Sequence, residues 1–121
     1  MAKDERRDAN GCLVSEHLDL PIIEDLDRIT QALRAELEAI AVEPRTKAKI
    51  NREAMIIVIV ALCRRHFVTL RCLAGLVNRD PESLRNHYLS DLVKERRLAL
   101  AFPTTPNHER QAYCAVVGDT P

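Results

Sequence analysis

Residues 67–113 constrain this chain more than any other stretch, because their local signals come in a fixed order. Thr69 is placed to cap a helix that begins at Leu70, since its hydroxyl can accept from an orphan amide of the first turn. Leu70, Leu73, Ala74 and Val77 fall on one face of that helix. Asn78-Arg79-Asp80-Pro81 interrupts the pattern, with Asp80 suited to a cap and Pro81 to the first helical position. Glu82 sits favourably against the positive end of a second helix, whose apolar face is Leu84, Tyr88, Leu89, Leu92 and Val93. That helix should stop near Glu95-Arg96. Leu98, Leu100 and Phe102 then alternate with Ala99 and Ala101 as a half-buried strand, residues 103–108 are turn material, and 111–117 can return as its partner. Strand, helix, turn, helix and hairpin in that order are the grammar of a winged helix-turn-helix, whose second helix is built to lie in a DNA major groove.

The same residues resemble a known family. Leu84-Arg85-Asn86-His87-Tyr88-Leu89-Ser90-Asp91-Leu92-Val93 and Pro103-Thr104-Thr105-Pro106-Asn107-His108-Glu109-Arg110-Gln111-Ala112-Tyr113 are similar to the second helix and the wing at the C-terminal end of schlafen/AlbA-type divergent ATPases. Members of that group are often described as transcriptional regulators or ATP-dependent DNA helicase-like proteins. The resemblance runs over residues 18–115, including Leu20-Pro21-Ile22-Ile23 and Leu62-Cys63. It implies a winged helix that an ATPase domain accompanies in a parent protein. No glycine-rich phosphate loop occurs in these 121 residues, which hold only Gly11, Gly75 and Gly118. One departure stands out: the family usually has Gly where this chain has Arg96. A left-handed helix exit there costs a non-glycine residue on the order of 1 kcal/mol.

A formal net charge of zero conceals two unlike halves. Residues 1–44 hold 5 Lys/Arg and 11 Asp/Glu, whereas residues 45–117 hold 13 and 6. The basic part coincides with the expected DNA-binding unit, as nucleic-acid recognition requires. With Tyr88, Leu89 and Leu92 turned inward, Ser83, Asn86, His87 and Ser90 face outward. Asn86 can read adenine, and Arg85 can reach guanine or phosphate. Arg71 and Arg79 flank the helix start as phosphate ligands, and His108 and Arg110 sit on the wing beside a minor groove. Three phosphate contacts, from Arg71, Arg79 and Arg110, imply a slope of log affinity against log salt of about −2.7. Four aromatic residues are too few for a single-strand binder that works by stacking.

The N-terminal half is less marked. Residues 1–17 read as a flexible segment, and 18–50 as a connector followed by a helix capped by Thr30, with Leu33, Leu37 and Ile40 on one face. Residues 51–117 form the expected winged helix-turn-helix, and 118–121 a flexible tail. Asn51 suits the cap of a helix over 52–66, although Ile56, Ile57, Val58, Ile59 and Val60 are β-branched. That helix is apolar all round, so it needs cover from the helix at Thr30 or from the partner in a homodimer.

Cys12, Cys63, Cys72 and Cys114 show no metal-ligand spacing, and Cys63 and Cys72 read as buried thiols of a cytoplasmic protein. Residues 2–10 are too charged for a signal peptide, and the apolar run 55–63 is too short to span a bilayer. The sequence therefore predicts a mainly α fold with a small β-hairpin, a winged helix-turn-helix with an extra N-terminal helix. It predicts a module that binds double-stranded DNA in transcription regulation, with no cofactor, no metal, no membrane and no enzymatic role. The alternative is a winged helix that dimerises or docks on another protein and touches no nucleic acid.

Overall fold

Three strands precede the first helix, and the sequence signals none of them. The computed structural model describes residues 6–15, 18, 20–105, 108 and 111–116. Strands β1 (Arg6–Arg7) and β2 (Leu13–Val14) form an antiparallel hairpin. The Asp8 carboxylate closes its turn by accepting from the amides of Asn10 (2.9 Å) and Cys12 (3.0 Å). Strand β3 (Ile22–Ile23) pairs antiparallel with β2 and parallel with β4 (Phe67–Thr69). Strands β5 (Leu98–Leu100) and β6 (Ala112–Ala115) complete one mixed sheet in the order β1-β2-β3-β4-β6-β5.

Helices are α1 (Gln31–Ile40), α2 (Val42–Thr46), α3 (Arg52–Leu62) and α4 (Leu70–Val77). A further helix, α5, covers 81–94, with α-turns at Pro81–Leu84 and Ser90–Lys94 on either side of a π segment at Arg85–Leu89. Of the described residues 46% are helical and 15% lie in strands. The expected fold class, mainly α with a small hairpin, is therefore wrong: the chain is α/β, built on a six-stranded mixed sheet.

Residues 6–14, within the segment 1–17 that the sequence marks as flexible, form the β1–β2 hairpin, with Cys12 fully buried.

Side chains alternate across the sheet and build a layer on each face. Ile23, Val68, Tyr113 and Ala115 join the main core under the helices, with Leu33, Leu37, Met55, Ile59, Leu73 and Leu92. Leu13, Ile22, Phe67, Ala112 and Cys114 point to the other face, where Ala101 joins them and Leu18, Leu20 and Phe102 pack against them. Both Ile22 and Ile23 are consequently buried.

Helix α3 finds its cover inside the chain. Met55, Ile56, Val58, Ile59 and Leu62 are buried and Ile57 alone stands out, 65% exposed. The shortage of cover that motivated a homodimer is thus absent. The helix also ends at Leu62, short of the expected 66, and all four cysteines are buried and unpaired. Burial pushes the Cys12 thiol up to about 11, and the Cys63 thiol higher still.

His66 lies between α3 and β4 and is 9% exposed. Its pKa is lowered, chiefly by desolvation, with Arg65 adding to the effect and Asp8 opposing it. The folded state therefore prefers the neutral ring. Stability is full above the ordinary histidine value of about 6.5 and falls as pH drops below it, because the unfolded chain then takes up the proton first. Melting curves of the wild type should fall between about pH 7 and pH 5, and His66→Gln should flatten that part of the profile. An unchanged profile in the variant would assign the acid sensitivity to other groups.

Candidate nucleic-acid interface

Helix α5 is set by its ends and by its wide middle turn. The Asp80 side chain accepts from Ser83 N at 3.0 Å, and Pro81 occupies the first turn, where no amide is wasted. The π segment brings residues five apart over one another, so Leu84 and Leu89 are both buried, and Leu92 follows on the same side. The opposite side presents Ser83, Asn86, His87 and Ser90, all exposed, with Arg85 at its margin.

Arg52 buttresses this helix from the start of α3. Its guanidinium donates to His87 O and to Asp91 Oδ2 (3.1 Å), and lies 5.3 Å from the centre of the Tyr88 ring. Sequence reasoning missed this residue. A signal was present: a cation in the first turn of a helix opposes the dipole, which points to a partner outside that helix.

The expected phosphate ligands part company. Arg71 is exposed on α4. Arg85 is exposed but sits 3.9 Å from Glu82, a pair too open to hold it firmly. Arg79 is not available. Its Nη1 donates to the carbonyls of Pro44 (2.9 Å), Val77 (3.1 Å) and Asn78 (3.0 Å), and its Nη2 to those of Lys47 (3.0 Å) and Ala48 (3.3 Å). The guanidinium fastens the α4–α5 turn to α2 and the segment that follows it, so Arg79 is a structural tie and not a phosphate ligand. Asn78 makes the turn possible by taking the left-handed conformation, φ 58, which Asn tolerates.

On the hairpin, His108 is half-buried and stacks on Phe102, ring centres 3.9 Å apart and 8° from parallel. Its ring packs the loop and does not reach outward. The Gln111 side chain ties the same loop, accepting from Phe102 N and donating to Phe102 O, both at 2.9 Å. Arg110 lies outside the described residues. The structure thus joins Ser83, Arg85, Asn86, His87 and Ser90 on one surface, and removes Arg79 and His108 from it.

No family model, curated protein or solved structure matches the chain. Among the described residues no helix is long and apolar enough to cross a membrane.

Proposed function

We propose that the chain is a DNA-binding module of a cytoplasmic regulator, not an enzyme, and that α5 is its recognition helix. One observation carries this reading: Ser83, Asn86, His87 and Ser90 form an exposed polar row opposite the buried Leu84, Leu89 and Leu92. In the element order, α4 and α5 are two helices joined by the short turn at residues 78–80, which leaves α5 as the second helix of the pair. The side chains in the row suit base edges. Asn86 matches adenine, serine hydroxyls match any base, and Arg85 at the margin of the row and Arg71 on α4 are exposed cations that suit phosphate. An accompanying ATPase domain in a longer protein fits the family resemblance.

Fluorescence anisotropy with random duplex DNA tests this. Removing Arg71 and Arg85 together should flatten the salt slope by about 1.8, since each phosphate contact contributes about 0.9. Asn86→Ala should blunt sequence preference and leave the slope nearly unchanged. If wild type shows no binding at tens of micromolar and low salt, the reading is wrong.

A second reading rests on the α1–α3 face. A groove of about 280 Å³ there has an apolar floor that includes Leu33, Leu37 and Leu62 and a polar rim of Glu36, Arg64, Arg65 and His66, and Ile57 stands exposed one turn before Ala61. Such a face suits a protein partner or a second copy of the chain. Sedimentation at micromolar concentration distinguishes the homodimer from a 13.7 kDa monomer.

A further inference from the structure

The end of the molecule where α3 and α5 both stop carries Arg64, Arg65, Lys94, Arg96 and Arg97, all exposed. Main-chain hydrogen bonds at the end of β6 hold them together. Ala115 N donates to Cys63 O (2.9 Å) and Val116 N to Arg97 O (3.0 Å), so Arg64 and Arg97 flank Val116. Arg97 N donates to Leu92 O (2.9 Å) and Arg96 N to Val93 O (3.0 Å), which folds the chain back over the end of α5. We infer that this basic end binds the phosphodiester backbone of a second stretch of duplex. The inference rests on the nucleic-acid reading above.

Charge arithmetic decides against a purely structural role. Two helix C-termini meet here, each worth about half a negative charge. Glu95 and Glu36 add two carboxylates, Glu36 lying 4.0 Å from Arg65. Among the described residues, five cations against about three negative charges leave about two unbalanced. Arg96 also holds φ 63, a left-handed conformation that strains a long side chain such as arginine, unlike Asn78. Backbone strain is thus retained where it displays a cation.

Among the described residues of the acidic half, five carboxylates already have a basic partner within the chain. Glu24 pairs with Arg7 (2.8 Å), Asp27 and Glu38 with Arg34 (3.1 Å each), Asp25 with Arg28 (3.6 Å) and Glu43 with Lys47 (3.5 Å). A second copy therefore brings no free acidic row from these residues. Duplex DNA presents closely and regularly spaced phosphates that match a cluster of exposed guanidinium groups. The basic end lies beyond the C-terminal end of the recognition row: Lys94 is eleven residues past Ser83, about 16 Å along the helix axis, and four past Ser90, about 6 Å.

Anisotropy of a short random-sequence duplex, followed against salt, tests the inference on the full chain. Arg64→Gln with Arg97→Gln should flatten the slope by about 1.8. Arg96→Gly should flatten it by about 0.9. That variant should melt no lower than wild type, because glycine accepts the left-handed conformation freely, so loss of fold cannot explain its effect. Unchanged slopes in these variants, with a loss in Arg71→Ala, Arg85→Ala, would overturn the basic-end site and leave the recognition helix standing. The reverse pattern supports the basic end and sinks the recognition helix. Binding of a polyglutamate peptide with no binding of duplex would overturn both.

Discussion

Leu92→Ala should lower unfolding stability by about 2–5 kcal/mol, the range for removing most of a buried leucine and leaving its space unfilled. Leu92 is fully buried and belongs to the cluster that joins α5 to α3, α4 and the helix side of the sheet. Its carbonyl also accepts from Arg97 N at 2.9 Å, which turns the chain into β5. The side chain thus anchors the helix at the point where its backbone fixes the exit. Urea denaturation of the two proteins measures the difference. A loss below about 0.5 kcal/mol would mean that the face turned inward has been misassigned.

Gly11→Ala should cost at least about 2 kcal/mol, from backbone strain together with overpacking. Gly11 holds φ +84, and a Cβ built there would lie 2.2 Å from Arg28 O and 2.9 Å from Ile29 Cα. Both are backbone atoms, so no side chain can swing aside to relieve the contact. Nearby, Thr30 N donates to Asn10 O at 2.9 Å, which ties the start of α1 to the β1–β2 turn. A variant as stable as wild type would show that the N-terminal hairpin does not pack on the segment before α1.

Local signals explain which parts of this architecture were legible. Thr30 accepts from Leu33 N, Asn51 from Ala54 N, Thr69 from Cys72 N and Asp80 from Ser83 N. Donor and acceptor in each cap lie three residues apart, so the pattern is written in the sequence itself. The positive φ at Arg96 is what the family resemblance implied, through the glycine that the family usually has at this helix exit. Strands β1, β2 and β3 were not legible. Each is two residues long, too short for an alternating pattern, and β3 enters the main sheet by pairing with β4, which lies far along the chain. Missing them turned an α/β fold into a mainly α one.

The same distinction runs through the candidate site. Ser83, Asn86, His87 and Ser90 share a face because of helical spacing alone, and their exposure followed from the apolar residues opposite. Arg79 looked like any exposed cation beside a helix start. Its carbonyl partners at Pro44, Lys47 and Ala48 lie more than thirty residues away, beyond any local rule. The stacking of His108 on Phe102 likewise depends on how the hairpin loop closes. The π segment left a faint trace in the five-residue spacing of Leu84 and Leu89, which an α-helix alone would not place in register.

Amide chemical-shift mapping with a short duplex tests the central claim most directly. If α5 is a recognition helix, titration with DNA should move the amides of Ser83, Arg85, Asn86 and His87, together with Arg71 on α4. The α1–α3 groove, at Leu33, Leu37 and Ala61, should stay still. Shifts confined to that groove, or none at all at low salt, would contradict the account.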